Sequence, residues 1–210
     1  MTKDVVVLTK SAKHGKYCVA GIELKTGKWI RLVSSDDDTD GALSNYDMRL
    51  LNGGVCEPLD LVRVEIEKAV PEKCQTENHL VVYGKKWVKI DELTIEEVVK
   101  IHSPTNRSYI FGNNLPYING IDYMTYSLVL AEVKNLKMYY SELESRKINF
   151  EYNSKKYFGI SLTDSDYYDS QEHEFEKAYI VVSIPKIDYN GKYYKFVAKV
   201  FPVREFYRDN

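Results

Sequence analysis

The chain has 210 residues, 44% of them hydrophobic and 13% aromatic, with a formal net charge of −2 and a pI near 6.1. That is enough apolar material for one medium domain or two small ones, and it excludes intrinsic disorder, which needs low hydrophobicity and high net charge. A chain so near neutrality is not a general polyanion binder, although a local basic face is compatible with it.

The first elements read as strands. Asp4–Leu8 is a short apolar run and Tyr17–Leu24 a longer one. Lys25-Thr-Gly-Lys28 then supplies a turn, with Gly27 where a positive φ is needed, and Trp29–Val33 returns. Strand alternation puts Trp29, Arg31 and Val33 on one face of that return and Ile30 and Leu32 on the other. Residues 34–57 are turn-rich and open on Asp36, Asp37, Asp38 and Asp40; they read as a long loop with a helical turn near Asn45–Leu51. The aspartates lack the glycine and terminal glutamate of a calcium loop, so a solvated acidic loop is the expectation, not a metal site. Asp60–Glu67 alternates, with Val62, Val64 and Ile66 opposite Arg63, Glu65 and Glu67. After a loop at 71–78, His79–Tyr83 is another apolar run, and Asp91–His102 is the clearest helix, with Thr94 and Glu97 spaced as a capping box. Ser103-Pro104 stops it. Residues 104–126 form an irregular connector.

The second half repeats the pattern. Ser127–Lys134 extends toward Tyr140, Lys147–Tyr152 and Tyr157–Leu162 flank a turn at Asn153-Ser154, and an acidic stretch, 164–176, leads to Ala178–Ile184. Asn190-Gly191 is a second hairpin signal, before Tyr193–Val200. Each half thus has a strand, a hairpin, an interruption and two more strands, the count of a small OB-like barrel. The expected fold is mainly β with a few helices: two small OB-like five-stranded barrels in tandem. The first spans 1–103, with a long loop and a capping helix; 104–126 is the connector; the second spans 127–210. Periodicity alone leaves SH3-like and PUA-like barrels open.

No apolar run approaches the roughly 18 residues of a spanning helix, and MTKDVVVLTK is too short and polar-flanked for a signal peptide. A cytoplasmic protein without membrane contact is expected. Cys18, Cys56 and Cys74 describe neither a disulfide framework nor a zinc site, and Cys18 reads as a small core residue. Nucleotide-phosphate loops, serine elbows and metalloprotease helices are missing too. No catalytic set, metal or cofactor is therefore expected, and a non-enzymatic protein is the favoured reading.

The chemical candidates cluster early. Residues 1–35 hold seven cations, among them Lys13, Lys16, Lys28 and Arg31, against Asp4 and Glu23. Such charge matches a phosphate backbone, and an aromatic such as Trp29 can stack a base for about 1–3 kcal/mol. The plain alternative has Trp29 in the core and Arg31 paired with an acid on the next strand, such as Glu65. His14, in the Lys13-His14-Gly15 turn, has Glu77 and Asn78 as candidate partners. A cluster of His14, Arg31, Glu77 and Asn78 is either a small-ligand or nucleotide-binding or processing site, or a buried network fixing loops. The 18 tyrosines, most of them after residue 108, read as half-buried sheet surface or as stacking platforms. An exposed aromatic patch over 139–207 would instead make the second barrel a protein-interaction adaptor.

Lys13-His14-Gly15, Cys18–Gly21, Gly27–Arg31 and Val33-Ser34, followed by Gly41–Leu43, Leu59-Asp60 and Gln75–Asn78, resemble the bacterial dual OB-containing domain proteins. Ser161–Asp164, Val182-Ser183 and Tyr194–Ala198 fit the same pattern near the end, while Thr76 and His79 stand where proline and tryptophan are expected. The resemblance implies two OB-like barrels and, from the fold, nucleic-acid binding. Together with the charge pattern, the expectation is a single-stranded DNA or RNA binder with a basic groove on the N-terminal barrel. Its ligand-contacting residues would be Lys13, His14, Lys16, Lys28, Trp29, Arg31, Glu77 and Asn78.

Overall fold

A computed structural model describes residues 1–13, 15–35, 39–141, 145–168 and 171–203. In the first half, β1 (Thr2–Lys13), β2 (Lys16–Glu23), β3 (Lys28–Val33), β4 (Asp60–Ala69) and β5 (Asn78–Val81) close in the order β1-β2-β3-β5-β4, with β4 pairing back onto β1. β3 and β5 run parallel and the other pairs antiparallel. The β1–β2 approach is so close that a Cβ on Gly21 would lie 2.0 Å from the Val6 carbonyl oxygen. β6 (Val88–Glu92) adds to β4 outside the ring. It takes residues that the sequence suggests for a helix from Asp91, because Asp91 and Glu92 still pair with Leu61 and Asp60. The helix α1 (Ile95–Ile101) starts only where Thr94 and Glu97 form their reciprocal capping box.

The second half has β7 (Tyr117–Ile118), β8 (Leu128–Tyr140), β9 (Arg146–Tyr152), β10 (Lys155–Leu162), β11 (His173–Ser183), β12 (Tyr193–Tyr194) and β13 (Phe196–Pro202). β8, β9, β10, β13 and β11 close a second barrel with the same connectivity, β10 and β13 again parallel. Both are five-stranded Greek-key barrels of the OB type. Asn153 and Ser154 take φ of 48° and 58°, the left-handed pair that a two-residue hairpin between β9 and β10 needs. Asn190-Gly191 also turns the chain, but inside the loop before β13. The following Tyr193–Tyr194 pairs with β7, not with the strand ahead of it.

Each barrel has its own core. Val5, Val19, Ile30, Leu32, Val64 and Trp87 fill the first. Leu43, Met48, Leu50 and Cys56 plug it from the loop after β3, and the expected helical turn is a single one, in which the Ser44 carbonyl accepts from the Asp47 and Met48 N–H groups. Ile110, Phe111, Ile118 and Ile121 of the 104–126 stretch enter the second core, beside Phe150 and Tyr157. A third apolar cluster is the seam between barrels: Val6, Leu8 and Ile22 meet Leu130, Val181 and Phe201, with α1 at the edge. The seam explains why Asp4–Leu8 does not alternate. Val5 and Val7 face the first core while Val6 and Leu8 face the second barrel, so both sides are buried.

Candidate ligand-binding cleft between the barrels

An OB barrel presents ligands with the outer face of its second and third strands and with its 1–2 and 4–5 loops. In the first barrel these are β2, β3, the turn after Lys13 and residues 70–77. A cleft of about 740 Å³ lies on that face, lined there by Lys13, Cys18, Arg31, Gln75 and Asn78. The opposite wall belongs to the second barrel: Thr163, the start of its own 4–5 loop at Ile184–Ile187, and Phe196.

Alternation along β3 sends Ile30 and Leu32 into the core and Arg31 outward, where it is 7% exposed. Its Nη2 donates to Glu77 Oε1 at 3.3 Å and to Ser127 Oγ at 2.7 Å; the Ser127 hydroxyl in turn donates to Glu77. The triad joins β3, the first 4–5 loop and the lead-in to β8. Arg31 therefore does not pair with Glu65, which lies near Lys85. Asn78 sits opposite Arg31 in the parallel β3–β5 register and donates to Gln75 Oε1 at 3.4 Å. Among the described residues, two buried polar atoms here have no hydrogen-bond partner, Arg31 Nε and Asn78 Oδ1. Buried polar groups are satisfied in the great majority of cases, so these two, enclosed beside the cleft wall, are exceptions to the usual pairing.

Charge around the cleft is partly neutralised. Lys13 bonds the Asp40 carboxylate and donates to its backbone oxygen at 3.2 Å. Lys186, from the second barrel, bridges Asp40 at 2.6 Å and Glu72 at 2.5 Å. Burial works to raise the Asp40 pKa, but hydrogen bonds from Lys13 and Lys186 more than offset it, so the carboxyl stays below its usual range. Lys68 lines the cleft, is exposed, and has no carboxylate within ion-pair reach among the described residues. Further out, Lys3 pairs with Glu23 and Lys10 with Glu57, which removes two lysines from any open basic groove.

Of the residues singled out from sequence, the fold brings together Lys13, Arg31, Glu77 and Asn78. His14 lies outside the described residues, as do Asp36, Asp37 and Asp38. Lys16 is half-buried and lines a smaller neighbouring hollow. Lys28, at the exposed start of β3, does not line the cleft. Trp29 packs against the seam, edge-on to His102 with ring centroids 5.3 Å apart, so its position is that of a packing residue. Cys18 is not in the core: it alternates with Val19 along β2, which turns it outward, half-buried, into the cleft. The tyrosines divide. Tyr152 and Tyr157 are buried and anchor the 104–126 stretch through Arg107 and Ile110, whereas Tyr123 and Tyr189 are exposed.

Sequence reasoning misses Ser127, Lys68, Gln75 and Lys186. Ser127 and Lys186 acquire their places from contacts across the seam, which no local spacing announces, while Gln75 is held locally by Glu72 and Asn78. The two departures from the family pattern are absorbed locally: the Thr76 hydroxyl donates to the Thr125 carbonyl at 2.7 Å, and His79 Nδ1 lies 2.8 Å from the Glu77 carbonyl. No helix among the described residues is long and apolar enough to cross a membrane. No curated protein and no solved structure matches the chain. The dual OB-containing domain family matches residues 3–200, which takes in both barrels and the seam. The chain belongs to the dual OB-containing domain family.

Proposed function

We propose that this protein binds single-stranded nucleic acid, DNA or RNA, in the cleft between its barrels. The observation that carries the reading is the cleft of about 740 Å³ on the ligand face of an OB barrel, with Arg31 and the uncompensated Lys68 in its lining. Lys68, exposed in the cleft lining, suits phosphate, whereas Lys13 and Lys186 are already held by Asp40 and Glu72. Family membership supports nucleic-acid binding only at the level of the fold, where OB barrels also take sugars and peptides, so the cleft carries more weight than the family. The basic groove expected along the N-terminal barrel gives way in this reading to a site walled by both barrels.

A free mononucleotide is the second reading, favoured by the cleft volume of about 740 Å³, within the roughly 300–1,000 Å³ typical of small-ligand pockets. Fluorescence anisotropy with labelled single-stranded octanucleotides across a salt series tests the first. Binding should weaken as salt rises, and Lys68→Ala should weaken it further and flatten the salt dependence by about 0.7 in log–log slope. No binding at low salt, or binding indifferent to salt, overturns the proposal.

A further inference from the structure

We propose that Tyr46 and Tyr83 form a base-stacking subsite next to the cleft, so that the ligand is a chain of at least two nucleotides. The inference rests on the nucleic-acid reading above and sharpens it, because a mononucleotide has no use for a second aromatic station.

A smaller hollow of about 290 Å³, lined by Lys16, Asp47, Tyr46 and Tyr83, shares Ser34 and Ser35 with the main cleft. The two therefore meet where β3 ends, and a strand leaving the cleft over Ser34-Ser35 enters the hollow. Its aromatic pair is built rather than incidental. Tyr46 rides on a turn rooted in the first core by Leu43 and Met48. The Asp47 carboxylate fixes that turn by accepting from the Ser44 N–H at 2.8 Å and from its hydroxyl at 2.6 Å. The Arg49 guanidinium lies 3.4 Å over the Tyr46 ring, and its Nε donates to the Tyr46 carbonyl at 2.8 Å. Tyr83, just beyond β5, leans on Tyr46 with centroids 5.9 Å apart and planes inclined by 33°.

Despite this positioning both rings stay open, Tyr46 47% and Tyr83 76% exposed, and neither joins one of the three apolar clusters. Two large rings held in place but left in water, with a guanidinium at their side, form the kind of platform on which bases stack irrespective of sequence. Tyr83, the more open ring, is the stacking surface; Tyr46 and Arg49 hold it.

The test compares a labelled octanucleotide with a mononucleotide competing for the cleft, using the full chain and the variants Tyr83→Ala, Tyr83→Trp and Lys68→Ala. Loss of one stacked base is worth about 1–3 kcal/mol, roughly 5- to 150-fold in affinity. Tyr83→Ala should lose that factor for the octanucleotide and leave mononucleotide competition unchanged. Tyr83→Trp should restore binding and show quenching of its indole fluorescence as the base stacks. Full octanucleotide affinity in Tyr83→Ala, with Lys68→Ala still weakening it, removes the subsite and leaves the cleft reading standing. Equal loss for both ligands in Tyr83→Ala also overturns the subsite, since the ring then acts through the cleft. A wild-type chain that binds neither ligand removes both proposals.

Discussion

Substituting Glu77 by Gln keeps the size of the side chain and its oxygen acceptor but removes the charge opposite Arg31. The pair is buried, with side-chain exposures of 8% and 6%, and the atoms lie 3.3 Å apart. At an effective dielectric of about 20, two unit charges at that separation attract by about 5 kcal/mol. Breaking one partner of a buried pair costs about 3–5 kcal/mol in general, because the remaining charge stays desolvated. Glu77→Gln should therefore lower unfolding stability by about 3–5 kcal/mol, or lower Tm by about 6–20 °C for a chain of this size. Urea unfolding followed by tryptophan fluorescence reads it directly, since Trp87 reports the first core and Trp29 the seam. In a double-mutant cycle, Arg31→Met with Glu77→Gln should cost at least about 2 kcal/mol less than the sum of the two single changes. A loss under about 0.5 kcal/mol for Glu77→Gln, or simple additivity in the cycle, would refute the reading of this triad as a structural tie between the barrels.

Two further outcomes follow from single residues. Cys18 faces the cleft while Cys56 and Cys74 are buried, so a thiol reagent should label one cysteine rapidly in the folded chain, and bound oligonucleotide should slow it; slow labelling of all three would remove Cys18 from the cleft wall. Lys195 is 1% exposed, donates to the Asn113 carbonyl at 2.6 Å and its side-chain oxygen at 2.9 Å, and is pushed by burial down to about 7. Between that value and the unfolded value of about 10.4 the unfolded chain binds a proton that the folded chain does not, so this residue's contribution to stability rises with pH through the window. Any advantage of Lys195→Met over wild type should be greatest near pH 6 and shrink toward pH 10, and a difference independent of pH would contradict it.

The parts of the fold legible in the sequence are those fixed by neighbours in the chain. Gly27 takes the positive φ its turn requires, at 63°, the Thr94–Glu97 box opens the helix, and Val62, Val64 and Ile66 alternate with exposed partners along β4. Five strands per half could be counted from alternation and turn residues, although β1 runs on to Lys13 and β11 begins at His173, inside the stretch expected to be an acidic loop. What could not be read is whatever depends on the second barrel covering the first. Cys74 belongs to the first barrel's 4–5 loop yet is buried in the second barrel's core, and Arg31 meets Ser127 from 96 residues away. In the sequence Trp29 and Arg31 share one face of β3, either turned to a ligand or with Trp29 in the core and Arg31 in an ion pair, and nothing local says what covers them. The seam buries one and the triad the other. The same long-range cover turns a set of apparently open lysines into a cleft whose cations are mostly committed.

That commitment constrains how the cleft can bind a polyanion. Lys13 and Lys186 share Asp40, and Lys186 also holds Glu72, so a phosphate reaching either lysine must displace a carboxylate already in place. Such an exchange of one anion for another gains little charge pairing. Lys68 alone among these three enters the contact uncompensated, and a single phosphate contact on a single strand corresponds to a log–log salt slope near −0.7. If all three lysines were open, the slope would approach three times that. A shallow slope together with measurable affinity would mean that binding is driven by what the charges do not supply: uncharged contacts along the cleft wall, and a base on Tyr83. A steep slope would mean that ligand entry breaks the Lys186 bridges, and those bridges join the second barrel's 4–5 loop to two loops of the first. Salt dependence thus reports whether the wall between the barrels stays shut or opens as the strand goes in.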